Sequence, residues 1–322
     1  KVLTTIVAYD AIREGKIKME DTLPVSERAW KMGGSRMFVD LNSMVKVEDL
    51  IKGVVVQSGN DACVVLAEGV AGSEENFAEL MNRKAADIGM DQSHFMNSTG
   101  WPDPNHYSTA RDLAKLAVYL IKEYPEDYKY YSQIDFVYNN IKQGNRNPLL
   151  YKTLGADGIK TGHTEDGGYG VIGSAVANGR RVIMVINGTS SMQARADESE
   201  KLIKWGQASF KNVTLVQKGI ALGKAPVVLG TAREVDFAAA EDLRVTIPAF
   251  GKAPAQMAAT YKVPLSAPVK AGDKIGSLIV TMSNGATKEI PLVATADVAE
   301  ASFFSRISEK LMLLLVGVPK YQ

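Results

Sequence analysis

Lys160-Thr161-Gly162, within Asp157-Gly158-Ile159-Lys160-Thr161-Gly162-His163-Thr164, combines a cation, a hydroxyl and a position without a side chain. On a strand edge such a triplet suits an enzyme that lays an extended peptide alongside it. Glycine lets a substrate backbone approach, and lysine with threonine can clamp a carboxylate. Alone the triplet is weak, because a surface turn produces it as readily. Two other groups stand upstream of it. Lys1 opens an apolar helical stretch, and Ser58-Gly59-Asn60 lies between two more.

The elements that must position these groups can be read from periodicity. Leu3, Ile6, Val7 and Ala11 share one face of a helix that begins at the first residue and stops near Glu14-Gly15. No capping residue precedes it, so its first N–H groups would be unsatisfied, and the natural fold is expected to continue upstream of Lys1. Residues 16–46 read as loop and short strands, with Arg28 to Ser35 a glycine-hinged loop at a cleft rim. Val47 to Val56 reads as a short helix, Ala62 to Val70 as a second, and Ser73 opens a third that reaches Ile88-Gly89. The loop from Ser93 to Tyr107 follows, and Thr109 caps a strongly amphipathic helix.

Residues 135–152 read as strand, turn and strand. Gly158 to Thr164 and Gly170 to Ala175 read as alternating strands, Arg181 to Gly188 as a buried strand, and Arg195 to Phe210 as a last helix. Helices, then consecutive antiparallel strands, then a helix indicate an α+β domain over residues 1–212, incomplete at its N-terminus. The composition changes near residue 213. Short alternating strands at 243–248 and 276–281, with a hairpin signal at Asn284-Gly285, predict a small all-β domain over 213–298. Residues 299–322 hold a helix with Phe303, Phe304, Ile307, Leu311 and Leu314 on one face and Arg306, Lys310 and Lys320 as its cations. Two readings apply: docking on a core, or lying flat on a bilayer surface as a membrane anchor; the position after a self-contained domain favours the anchor.

Bulk properties narrow the function. The chain has 322 residues, 46% hydrophobic and 23% charged, as in a globular protein of two domains. A net charge of +1 carries no nucleic-acid footprint. Cys63 is the only cysteine, so no disulfide forms within the chain. His94, His106 and His163 are far apart in sequence, without ligand spacing, so neither metal nor other cofactor is expected. No apolar run reaches the roughly 18–20 residues that span a membrane.

Taken together, Gln57-Ser58-Gly59-Asn60-Asp61-Ala62-Cys63, Asn145-Arg146-Asn147 and Gly158-Ile159-Lys160-Thr161-Gly162-His163-Thr164 resemble the low-molecular-mass penicillin-binding proteins. These are D-alanyl-D-alanine carboxypeptidases, and the penicillin-binding protein 5 type is the most similar. Their motif set is S-x-x-K, S-x-N and K-T-G. The similarity runs over nearly the whole chain and implies a β-lactamase/transpeptidase-like domain, an antiparallel sheet with helices, ahead of the small all-β domain. It implies removal of the terminal D-alanine from peptidoglycan stem pentapeptides through an acyl-enzyme, and acylation by β-lactams. It further implies a periplasmic location on the outer face of the cytoplasmic membrane, held through residues 300–322.

The resemblance also implies roles. Lys1 fits the lysine of S-x-x-K, and the nucleophilic serine is expected three residues before it, outside the given chain. Ser26 and Ser35 cannot substitute, since neither has a lysine three residues on. Lys1 would take the serine proton, Ser58 would relay a proton to the leaving amine, and Asn60 would hold Lys1 and the substrate amide. Lys160 would supply positive potential and orient Ser58. Thr161 and Arg195 would bind the substrate carboxylate, Gly162 would admit its backbone, and the His163 N–H would serve the oxyanion hole. Arg146 is a minor candidate, and Cys63 and His94 read as packing or loop residues. Two alternatives remain: a β-lactamase, although no Glu-x-x-Leu-Asn loop follows the second motif, and a catalytically silent peptidoglycan-binding protein.

Overall fold

The computed structural model describes residues 1–152, 154–250, 255–282 and 285–316. Its contacts divide the chain into two units, Lys1–Gln207 and Ala208–Gln322.

The first unit opens with α1 (Val2–Arg13), which is buried nearly all round and not only on the face that periodicity marks. Next come β1 (Thr22–Pro24), α2 (Glu27–Lys31), β2 (Met44–Lys46) and α3 (Val47–Lys52). The short helix α2 corrects the expectation of a loop from Arg28. Ser26 caps it by accepting the Ala29 N–H at 3.0 Å, and Ala29 is fully buried. The helix expected to run to Val56 is regular only to Lys52 and then widens into a π turn, Gly53–Gln57.

Then follow α4 (Asn60–Ala71), α5 (Glu74–Ile88) and α6 (Ala110–Glu123). Ser73 and Thr109 cap α5 and α6 as read, accepting from Asn76 N and Asp112 N. The hairpin of β3 (Asp135–Tyr138) and β4 (Ile141–Gly144) turns at Asn139 and Asn140, both at positive φ, as the strand twist requires.

Three antiparallel strands carry the unit: β5 (Ala156–Thr164), β6 (Gly168–Ala177) and β7 (Arg180–Thr189), in that order across the sheet. Ile159 and Ile172 join the core of α1, α4 and α6. Val171, Ala175 and Met184 pack with Ile203 of α7 (Met192–Ala208) on the opposite face. Core on both faces explains why β6 is buried at consecutive positions and does not alternate. The expectation of a buried Arg181–Gly188 strand is corrected: β7 lies at the sheet edge and only Met184 within it is buried. The last helix begins at Met192, ahead of Arg195, and Phe210 already belongs to the next strand.

The second unit holds β8 (Phe210–Val216), β9 (Ala221–Val228), β10 (Glu234–Ala239), β11 (Leu243–Pro248), β12 (Ala255–Tyr261), β13 (Leu265–Ser266), β14 (Lys274–Met282) and β15 (Thr287–Ala294). β8 pairs with β11, and the other six form one sheet in the order β12-β14-β15-β10-β9-β13. The boundary expected at 213 falls inside β8. Asn284 of the expected hairpin, and Lys320, lie outside the described residues. The chain ends its described part in α8 (Phe303–Val316). One polar residue of it is turned inward: Glu309 is buried and accepts from Leu229 N at 3.2 Å and from Arg233. Its apolar side is not docked on a core, since Phe304, Leu314 and Leu315 are 82%, 84% and 76% exposed. No helix among the described residues is long and apolar enough to cross a membrane.

Candidate active site

The Ser58 turn is assembled from two sides. The π turn ends on Ser58, a non-glycine residue in the left-handed region at φ 61° and ψ 30°. Such a conformation costs about 1–3 kcal/mol and persists only where its surroundings enforce it. Here Gly59 N donates to Gly53 O at 2.9 Å, and α4 begins at once with Asn60. Asn60 is tied to the glycine loop by both backbone and side chain. Its N–H donates to Ser35 O at 2.7 Å, and its Nδ2 to Gly33 O at 2.8 Å. Gly34, at φ +72°, cannot carry a side chain, because a Cβ there would stand 2.9 Å from Asn60 Nδ2 and 3.1 Å from the Trp101 ring.

Asp61 locks this loop. Its carboxylate is fully buried and accepts from Met37 N and Phe38 N at 2.8 Å and from Val39 N at 3.3 Å. Phe38 itself sits at φ 69°, uncommon for an aromatic residue, and Asn139 Nδ2 holds its carbonyl at 2.8 Å. Sequence reading had missed Asp61. An acid in the first turn of a helix reads as a dipole partner, and nothing local reveals that it turns back onto three amides of a distant loop.

Opposite stands β5, whose outer edge is unpaired among the described residues. Lys160 and Thr161 are buried, and the Lys160 Nζ donates to Thr161 O at 3.2 Å. Burial, then the charges of Lys1 and Arg146, brings the Lys160 ammonium down to about 7. Burial likewise pushes Lys1 below its usual value; Arg146 adds to this, while Cys63 and Asp61 oppose it. A Cβ at Gly162 would meet nothing, so the strand is open to an approaching backbone there. His163 is exposed, with its ring 3.9 Å from that of its cross-strand partner Tyr169.

Arg195 is buried in the first turns of α7, where Ser191 caps by accepting from Ala194 N. Its Nη1 reaches Gly162 O at 3.4 Å, and its buried Nε has no hydrogen-bond partner. It forms no ion pair among the described residues. A buried guanidinium with an unpaired donor beside an open strand end is suited to an incoming anion.

Of the sequence-predicted residues, the structure brings the cations into one electrostatic neighbourhood. Lys160 feels the charges of Lys1, Arg146 and Arg195, and Arg146 also acts on Lys1 and on Arg195. Arg146, only a minor candidate from sequence, belongs to the group and donates through Nη1 to Ser35 Oγ. Lys1, Ser58, Asn60 and Lys160 are not hydrogen-bonded to one another. Lys1 Nζ donates to Thr99 O at 2.6 Å, and Asn60 holds Gly33, not Lys1. Among the described residues no three His, Cys, Asp or Glu side chains come together as metal ligands.

Comparison with known proteins identifies the family. The family described as D-alanyl-D-alanine carboxypeptidase matches residues 1–191, and the penicillin-binding protein 5 C-terminal domain matches residues 210–300. A D-alanyl-D-alanine carboxypeptidase DacA of Haemophilus influenzae is 38% identical over 99% of this chain and 82% of its own length. The DacA of Escherichia coli K12 is 33% identical over 98% of this chain and 80% of its own length. Among solved structures, penicillin-binding protein 5 of Haemophilus influenzae superposes with a TM-score of 0.79 at 36% identity, covering 93% of this chain and 90% of that one. Penicillin-binding protein D2 of Listeria monocytogenes in its ampicillin-bound form gives 0.58 at 26% identity over 64% and 84%. On this evidence the chain belongs to the D-alanyl-D-alanine carboxypeptidase family of serine peptidases, with a second unit of the penicillin-binding protein 5 C-terminal type.

Proposed function

We propose that the protein removes the terminal D-alanine of peptidoglycan stem pentapeptides through a serine acyl-enzyme, with the roles that follow. The observation that carries this reading is the group of cations, Lys1, Arg146 and Arg195, around Lys160 on the open-edged strand β5. The buried Arg195 has no acidic partner among the described residues, and it reaches Gly162, where a peptide carboxylate would lie. The substrate extends along β5, its terminal carboxylate against Thr161 and Arg195, with Gly162 leaving room for its backbone.

The nucleophile is the serine expected three positions before Lys1, one helical turn away on the same face. Its Oγ attacks the penultimate D-alanine carbonyl, and its proton passes to the Lys1 amine. Burial, with the charge of Arg146, favours the neutral amine that this step needs. The oxyanion is met by the His163 N–H and that of the nucleophile. As the C–N bond breaks, Ser58 relays a proton to the leaving amine, Lys160 and Asn60 fixing the geometry. D-alanine departs, and water hydrolyses the ester.

A β-lactam presents a carboxylate and a strained amide in the same arrangement, so it acylates the same serine. The exposed apolar side of α8, with Arg306 and Lys310 beside it, supports attachment flat on the outer face of the cytoplasmic membrane and a periplasmic location. The test is intact mass spectrometry of the full-length protein with benzylpenicillin. A persistent adduct of one antibiotic per chain is expected. Rapid turnover without an adduct would favour the β-lactamase alternative, and neither adduct nor turnover would overturn both enzymatic readings.

A further inference from the structure

Trp101 has no part in the roles above, yet it is a large aromatic left 48% exposed beside the catalytic turn. The loop that carries it is rigid. Asn97 Oδ1 accepts from Gly100 N at 2.8 Å and from Trp101 N at 3.0 Å, and Asn97 Nδ2 returns a bond to Trp101 O at 3.0 Å. Thr99 fastens the same turn to α1, taking Lys1 Nζ on its carbonyl at 2.6 Å while its hydroxyl accepts Trp101 N at 3.0 Å. The edge of the six-membered ring abuts Gly34, the position a Cβ would fill at 3.1 Å from Cζ3 and 2.9 Å from Asn60 Nδ2. A half-exposed indole thus stands next to Asn60 of the second motif, whereas Arg195 reaches Gly162 of β5.

We infer that Trp101 is a specificity-determining residue: its indole is the wall against which the side chain of the residue preceding the D-alanyl-D-alanine pair packs. The inference rests on the carboxypeptidase reading and adds a subsite on the acyl side. An exposed ring face gains most from covering an aliphatic chain. A cationic tip would be disfavoured there, because Arg146 already sets a permanent positive charge beside Lys1 and Lys160. The preferred substrate therefore carries a long aliphatic side chain at that position with no positive charge near the ring.

The experiment compares full-length parent, Trp101→Ala and Trp101→Phe on two peptides ending in D-alanyl-D-alanine, one preceded by Nε-acetyl-lysine and one by glycine. In the parent, kcat/KM favours the acetyl-lysine peptide. Trp101→Ala should lower that value by roughly ten-fold, mainly through KM, and change the glycine peptide by less than about two-fold. Trp101→Phe should keep most of the preference. Equal losses on both peptides, or no loss on either, would overturn the inference while leaving the carboxypeptidase reading intact. A parent inert toward both peptides would remove that reading and the inference with it.

Discussion

Lys160 holds a cation where folding alone would not put one, and Lys160→Met tests what that costs. Burial and the facing charges of Lys1 and Arg146 bring its ammonium from 10.5 to about 7. At 1.36 kcal/mol per factor of ten this amounts to about 5 kcal/mol of disfavour for the charged form in the folded state. Relaxation and water return part of it, so an apolar side chain of similar length should stabilise by about 2 kcal/mol. For a unit of this size that is a rise of roughly 6 °C in Tm.

The pH dependence has a definite sign. The folded-state value lies below the unfolded one, so the unfolded chain binds the extra proton between them and stability rises with pH there. The cost is complete below about pH 7, fades between pH 7 and 10.5, and is absent above. The Tm advantage of Lys160→Met should therefore be largest at or below pH 7 and shrink toward pH 10, while acylation by benzylpenicillin is abolished. Differential scanning calorimetry across that range reads it. A variant no more stable than the parent at pH 6 would refute the burial argument, and one that acylated at the parent rate would refute the role of Lys160.

Three further outcomes are expected. Asp61→Ala leaves the N–H groups of Met37, Phe38 and Val39 without their acceptor and should cost about 3 kcal/mol by denaturant titration, with slower acylation; a loss below about 1 kcal/mol would contradict the clamp. Arg195→Leu should lower kcat/KM on a carboxylate-ending peptide by roughly a hundred-fold without lowering Tm, because it removes a buried cation that has no acidic partner among the described residues; an unchanged KM would place the carboxylate elsewhere. Full-length protein should co-sediment with anionic vesicles and a version lacking residues 300–322 should not; co-sedimentation of both would remove α8 as the anchor.

Much of the fold was legible from local signals. Ser73 and Thr109 announce α5 and α6 because a cap acts within one turn of chain. The Asn139-Asn140 turn shows for the same reason. Where the sequence misled, a distant partner decided. The π turn after Lys52 is set by packing that periodicity does not contain. β7 has the composition of an interior strand but lies at an edge, since composition does not report the order of strands in a sheet. Ser26 starts a helix too short to leave a periodic trace.

At the site, the sequence by itself determined the chemistry available. Lys1, Ser58-Gly59-Asn60 and Lys160-Thr161-Gly162 supply amine, hydroxyl, amide and cation, and their order along the chain marks the family. Only the tertiary structure decided how these groups are conditioned. The lowered value of Lys160 arises from burial and from the charge of Lys1, about 160 positions away in the chain, and that of Lys1 from burial with the charge of Arg146. The unpaired Nε of Arg195, the Asp61 clamp and the indole of Trp101 beside Gly34 likewise exist only once separate segments meet. Charge, burial and contact depend on distance in space, which a one-dimensional order of residues does not carry.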